Sequence, residues 1–207
     1  MRANLALFRS EFDDLQVSTF DGGLSFVVGN AAQPVSQGLE MDASWQATPA
    51  WRVDVSVARL DSAYADFRTA SCWFGQTAAQ GCVGGVQDLS GDATQFAPEW
   101  SGRAGLSYER PVGALRLAAT LSANFASRYF IPNDNDPNVM QAGHAKLDAR
   151  IGVGPAGERW GVAIIGRNLT NRLTTHWGND LPLFNGSYFK FVDRPRTLEI
   201  QGTWRFE

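Results

Sequence analysis

No stretch of this sequence approaches the eighteen or so consecutive apolar residues that a membrane-crossing helix requires. The opening, Met1 to Arg9, holds too short an apolar run for a secretion signal, because Asn4 and Arg9 interrupt it. Positive charge is not in excess. With 18 Lys and Arg against 21 Asp and Glu, the formal net charge is −3, which does not indicate a nucleic-acid binder. Histidine is scarce, at 2 residues, and so is cysteine, at 2, which leaves little from which to build a histidine–cysteine metal cluster. Disorder is excluded by a composition that is 44% hydrophobic and 19% charged. What the chain does have is aromatics and glycine: 13 Phe, 7 Trp, 4 Tyr and 21 Gly against 3 Met, a balance that favours strands over helices. Composition alone leaves two options, a soluble protein or a mature or truncated part of an exported one.

Periodicity is more decisive. From Thr197 onward, Leu198, Ile200, Gly202, Trp204 and Phe206 alternate with Thr197, Glu199, Gln201, Thr203 and Arg205. Period-two alternation places one set on each face of a strand. The pattern returns at Leu39–Ala47, Trp51–Ala58, Trp100–Glu109, Leu115–Phe125 and His144–Val153. Around 160–169 the alternation weakens, because Ile165 intrudes on the polar side. Around 3–17 Phe8 and Arg9 compete for one face, and the segment reads as a strand of undetermined facing. The expected total is about eight strands, each near the ten residues that a tilted strand needs to cross a bilayer.

Alternation by itself suits a soluble sandwich as well as a membrane barrel. The connections separate the two. Tight turns at Thr48-Pro49-Ala50, Pro111-Val112-Gly113 and Gly154-Pro155-Ala156-Gly157 take turns with long polar links over 65–92, 132–142 and 171–192. Short turns at one end and long loops at the other are the habit of outer-membrane barrels. Trp45, Trp51, Tyr108, Trp160, Trp204 and Phe206 all fall beside a tight turn or the C-terminus, as an interfacial aromatic rim requires; Phe125, Tyr129 and Phe130 fall toward the opposite rim.

Three motifs then carry a resemblance. Asp13-Asp14-Leu15-Gln16-Val17-Ser18-Thr19-Phe20, followed by Val27-Val28-Gly29-Asn30-Ala31-Ala32 and Ser36-Gln37-Gly38-Leu39-Glu40, resembles the mid-barrel region of TonB-dependent receptors. Gly166-Arg167-Asn168-Leu169-Thr170-Asn171-Arg172 resembles the next-to-last strand of that family, and Asp193-Arg194-Pro195-Arg196-Thr197 through Phe206 resembles its closing strand. The resemblance implies an all-β fold: an antiparallel up-and-down transmembrane β-barrel segment, about eight strands of a larger barrel of twenty-two, with residues 1–207 as the C-terminal portion. It implies no plug and no TonB-contacting segment here, and a Met1 that starts inside the barrel, as in a truncated gene. It also implies a place in the bacterial outer membrane, contact with outer-membrane lipid, service to the TonB system in the intact receptor, and uptake of a scarce small-molecule solute such as a siderophore. No cofactor, nucleic-acid partner or enzymatic activity is expected. The family usually ends on an aromatic residue, whereas here Glu207 follows Phe206.

Within that frame the remaining motifs divide. Cys72 and Cys82 share one long link and read as a disulfide in an oxidising compartment, the other reading being two free thiols in the cytosol. A loop of that size contributes about 2 to 3 kcal/mol on the chain-entropy model. Gly152-Val153-Gly154-Pro155-Ala156-Gly157 fits a dinucleotide pattern, but an alternating strand follows it rather than a helix, so it reads as a hairpin turn. Asn168-Leu169-Thr170 is a glycosylation sequon that here ends a strand. Asn133-Asp134-Asn135-Asp136 offers oxygens to calcium but lacks the glutamate of an EF-hand, and reads as a solvated loop. No metal site is expected. His144 reads as a lumen-facing side chain. His176, Trp177, Asn179 and Asp180, in the last long loop, are the candidate ligand-binding residues. Two other classes stay open: a complete small eight-stranded outer-membrane barrel with a structural or adhesive role, and a soluble β-barrel that binds a small ligand.

Overall fold

The computed structural model describes residues 1–20, 26–157, 159–181, 184 and 186–206. Glu158 and Glu207 lie outside the described residues. The elements are almost all strands: β1 (Arg2–Glu11), β2 (Leu15–Phe20), β3 (Phe26–Gln46), β4 (Trp51–Asp66), β5 (Ala70–Ser71), β6 (Val86–Gln87), β7 (Trp100–Val112), β8 (Leu115–Ala126), β9 (His144–Pro155), β10 (Trp160–Arg167), β11 (Thr175–Asp180), β12 (Tyr188–Val192) and β13 (Thr197–Trp204). Short 3-10 turns at Ala78–Gln80 and Pro137–Val139 complete the set. Eight strands form one wall in the order β1-β3-β4-β7-β8-β9-β10-β13, each antiparallel to its neighbours, with β2 pairing the far half of β3. β1 and β13 are its two ends and do not pair with each other, so these strands are a barrel wall and not a self-closed eight-stranded barrel.

The register gathers the alternating residues of every strand onto common faces. One row runs Met41–Val57–Gly102–Phe125, and another runs Leu121–Ala149–Gly166–Leu198. Ile151, Ile164 and Ile200 sit side by side across β9, β10 and β13. These side chains are bare: Ile200 is 82% exposed, Leu198 72% and Trp204 64%. Packing inside a compact soluble body would have buried them. The other face carries Asp42, Asp54, Arg103, Asn124, Lys146, Asp148, Arg150 and Glu199, and a hollow lined by Arg2, Asn4, Asp42, Asp54 and Arg103 opens on it. Ile165 lies on that polar face between Arg150 and Glu199, which accounts for the broken alternation. His144 shares the face of Lys146.

The facing of the first segment is resolved, and its unity is not kept. Leu5 and Leu7 stand opposite Met41 and Leu39 on the apolar face, while Phe8 turns to the other face, over Gly38. A Cβ on Gly38 would lie 2.9 Å from the Phe8 ring, so the absent side chain is what admits the aromatic. The expected single strand over 3–17 is broken at Phe12–Asp14, where Asp14 takes the left-handed conformation (φ 55°); β2 then continues along β3. Trp51 and Tyr108 pack with ring centroids 4.6 Å apart beside the first tight turn, and Trp160 pairs with Trp204 beside the third.

On β4 the apolar face runs from Trp51 to Val57 and stops at Arg59. Trp51 to Arg59 is about 26 Å of strand, or roughly 20 Å of height once tilted, in keeping with the hydrocarbon band of a bilayer. Immediately beyond, the same face turns charged. Arg9 meets Glu11 at 2.6 Å and Gln37 at 3.1 Å, Gln37 meets Asp61 at 3.0 Å, and Arg59 meets Glu99 at 3.6 Å while lying 5.8 Å over Trp100.

Candidate functional site

Above that charged collar, β3 and β4 run on for another turn-free stretch. β3 is 21 residues long and β4 is 16, well past the ten expected. They carry the chain into a different environment. Val17, Ala32, Tyr64, Phe67, Ala70 and Leu89 form a buried apolar cluster, drawn from β2, β3, β4 and the link after it. Ile131 and Val139 of the link between β8 and β9 are buried too. The long links are therefore a packed cap with its own core, the kind of burial that contributes about 1.5–3 kcal/mol per large side chain.

Hydrogen bonds sew four segments together. Asn133 donates to the Ser18 carbonyl at 3.1 Å and Asn135 to the Ala93 carbonyl at 3.0 Å. Gln87 donates to the carbonyls of Ser71 and Asp134 at 2.8 and 2.7 Å. The Phe96 amide donates to the Phe130 carbonyl at 2.8 Å, and the Thr175 amide to the Gln141 side chain at 2.7 Å. Cys72 and Cys82 are joined as a disulfide, with Cα atoms 5.7 Å apart, closing the link that holds Trp73 and Phe74. The Phe74 amide then donates to the Asp180 carboxylate on β11.

The four residues singled out in the last loop do not act as one cluster. They lie on the β11–β12 hairpin, whose faces separate them. Trp177 is exposed beside Phe189 and Phe191, at centroid distances of 5.0 and 5.5 Å, and Asn179 shares its side. Gly178 and Asp180 take the other side, where Val139 lies only 3.1 Å from the position a Gly178 Cβ would occupy. Asp180 is buried there. His176 reaches Asp193 at 3.5 Å. Asp193 also receives Lys146 at 2.7 Å and the Thr174 hydroxyl at 2.6 Å, and the Lys146 hydrogen bond holds its carboxyl below the usual range.

Two features were misread or missed from sequence. The Asn133–Asp136 run is not a solvated loop: Asp134 is 8% exposed and Asp136 is 0% exposed. Burial pushes the Asp134 carboxyl up to about 7 and the Asp136 carboxyl upward as well. The physical reason is that Gln87, Ala93 and the β11–β12 hairpin cover the run from segments remote in sequence. The second feature is Asn168, at the sequon. It sits in the left-handed conformation (φ 49°), donates its backbone amide to the Asp148 carboxylate at 2.7 Å and its side-chain nitrogen to the carbonyls of Arg172 and Arg194, and accepts from the Arg172 amide. It ties the end of β10 to both ends of the following loop. Asparagine tolerates that backbone and offers both donors and an acceptor, which is the signal that sequence contained. The glycine-rich run at 152–157 ends β9 and enters the hairpin turn to β10, a strand and not a helix.

An antiparallel up-and-down wall with one bare apolar face, one polar face and a packed loop cap at one end has the form of a membrane-type β-barrel wall. A family model for the TonB dependent receptor-like beta-barrel matches residues 1–169, and the chain belongs to that family. Solved structures agree on the fold. The ferric yersiniabactin uptake receptor FyuA from Yersinia pestis is similar at 19% identity with a TM-score of 0.71, over 97% of this chain and 27% of that one. The siderophore receptor PiuA from Acinetobacter baumannii is similar at 14% identity and TM-score 0.67, over 97% and 25%. The copper transporter OprC is similar at 17% identity and TM-score 0.66, over 97% and 29%. This chain thus spans 25 to 29% of the length of those structures. No curated protein matches the sequence.

Proposed function

We propose that residues 1–207 are the C-terminal wall and loop set of a bacterial outer-membrane receptor that takes up a scarce solute, such as a siderophore, with energy delivered through TonB. The observation that carries this reading is the division of the molecule at the charged collar: a lipid-compatible apolar band below and a water-facing cap above. In this reading the wall supplies strands whose backbone is hydrogen-bonded within the sheet, as the bilayer requires. The cap, held by the Cys72–Cys82 disulfide, presents Trp177 with Phe189 and Phe191 to the solute, with His176 and Asn179 at the margin. Asp180 serves by anchoring the hairpin rather than by touching solute. The small-molecule partner is read from relatives described as siderophore, ferric and copper receptors or transporters. Transport, not catalysis, is the role.

Fractionation tests the location. The chain is expected in the outer membrane, released only by detergent, with its tryptophan fluorescence quenched by brominated lipid through Trp45, Trp51 and Trp204. Recovery from the cytosol without detergent as a monodisperse monomer would instead establish the soluble ligand-binding reading. By itself the chain is expected not to restore solute uptake to a receptor-deficient strain, since it spans only about a quarter of the transporters it resembles. Rescue by this chain alone would refute that.

A further inference from the structure

The charged rim of the wall is not balanced along its whole length. Over β1, β3 and β4 its arginines are matched: Arg9 meets Glu11 at 2.6 Å and Arg59 meets Glu99 at 3.6 Å. Where β10 and β13 end, the chain instead gathers Arg172, Arg194 and Arg196, all exposed. Among the described residues no ion pair reaches any of these three guanidiniums. The carboxylates of this corner are already engaged. Asp193 receives Lys146 at 2.7 Å and the Thr174 hydroxyl at 2.6 Å, Asp148 receives the Asn168 amide at 2.7 Å, and Glu199 faces Arg167 at 3.6 Å. Three positive charges therefore stand without a counter-charge.

Backbone geometry holds the three together. The Asn168 side-chain nitrogen donates to the Arg172 carbonyl at 2.9 Å and to the Arg194 carbonyl at 3.1 Å, so one amide group pins both residues. The Asn171 side chain accepts the Arg196 amide at 3.1 Å, and the Asp193 amide donates to the Thr174 carbonyl at 2.8 Å. Like charges repel, and these bonds keep them in one corner despite it. Bare apolar side chains adjoin the corner. Leu173 is 61% exposed and Val192 53%, and Leu198, two positions after Arg196, begins the bare face of β13. Arginine beside bare aliphatic side chains suits the level where acyl chains give way to head groups, since its stem lies along hydrocarbon while its fork meets phosphate oxygens.

We propose that Arg172, Arg194 and Arg196 form a clasp for the phosphate of a lipid head group, seated against the apolar face of the wall where β10 and β13 end. The phosphate supplies the missing negative charge, and the planar forks pair with its oxygens in a way an ammonium group does not match. The acyl chains lie along the bare row of Leu198, Ile164 and Ile200. The clasp fixes this edge of the wall against the membrane and takes no part in solute capture. The inference rests on the membrane reading of the wall, and its test separates the two.

The test places the full 207-residue chain in phosphatidylcholine nanodiscs, with and without a minority of phosphatidic acid, and reads melting and the lipid retained in native mass spectrometry. Phosphatidic acid should raise the melting of wild type and stay bound to it. Arg172→Gln, Arg194→Gln and Arg196→Gln should each weaken retention about 5-fold. The triple variant should lose the preference yet melt as wild type does in phosphatidylcholine alone; the single variants keep the test decisive if the triple does not fold. Arg9→Gln with Arg59→Gln, which removes two paired arginines, should leave the preference intact. Inorganic phosphate in lipid-free detergent should not shift melting. No preference in wild type, an equal loss in the Arg9 and Arg59 double variant, or an equal shift by inorganic phosphate, which would assign a free-phosphate site, would each overturn the clasp. Brominated phosphatidylcholine isolates the wider reading. Quenching of the wall tryptophans without a phosphatidic acid preference leaves the membrane reading standing and removes the clasp; no quenching removes both.

Discussion

The wall and the cap obey opposite rules although the same strands pass through both. In the wall, Ile151, Ile164, Leu198 and Ile200 are bare, and Ala163 is the buried apolar residue among the described wall positions. In the cap, Tyr64 and Phe67 are almost wholly enclosed, and so are Asp134, Asp136 and Asp180. β4 shows the change within one strand: Val53, Val55 and Val57 lie on the bare face, Arg59 and Asp61 cross the collar, and Tyr64 enters the cap core. On the proposed membrane reading the wall leaves its apolar side to lipid and needs no packed interior. On the same reading the cap stands in water, and its apolar side chains are buried against each other. The solvent, rather than the strand, sets which rule applies.

Five substitutions test that contrast. Phe67→Ala, in the cap core, should cost the cap about 3–5 kcal/mol, seen as protease cleavage within 67–99 while the β-sheet signal of the wall persists. Loss of the whole sheet at once would show that cap and wall are a single cooperative unit. Ile200→Arg, at mid-height on the bare face, should cost about 2–4 kcal/mol in lipid vesicles by denaturant titration, whereas Gln201→Arg on the opposite face should cost little. Equal effects at these adjacent positions would remove the lipid-facing assignment. Asn168→Ala, which strips a corner of its bonds, should cost about 1–3 kcal/mol and loosen the 168–196 loop in hydrogen exchange ahead of β10. Arg9→Ala, in the exposed collar, should change stability by no more than about 1 kcal/mol and shrink further in high salt; a large effect would mean that the collar is structural and not merely a boundary.

Acidity should act with opposite sign on two carboxylates of the loops. Asp193, held low by Lys146, contributes stability that is present above the ordinary carboxylate range and is lost as pH falls through its depressed value. Asp134, raised to about 7, contributes the reverse: the folded cap is penalised as pH rises from the ordinary carboxylate range toward 7. Melting of Asp134→Asn against wild type across that interval measures the second effect, and Lys146→Met measures the first.

Much of the wall was legible in the sequence. Period-two alternation is local geometry, so Leu198 through Phe206 declared their two faces without reference to any partner. The tight turns and the aromatic rim near Trp51, Tyr108, Trp160 and Trp204 followed from the same reasoning. The facing of Leu5, Leu7 and Phe8 did not. It depended on Gly38 in the neighbouring strand, which leaves space for a ring on one side only. The break at Asp14 was equally silent, because both flanking pieces alternate.

A barrel wall was readable from sequence because strand faces and tight turns are set by residues within ten or so positions of one another; the full reach of β3 and β4 was not. The cap became visible through long-range packing alone. Its decisive contacts join distant segments, as when the Phe74 amide meets Asp180 across 106 residues of chain. Whether a polar loop residue such as Asp136 meets water or a buried neighbour depends on which remote segment folds over it. Local composition carries no information about that.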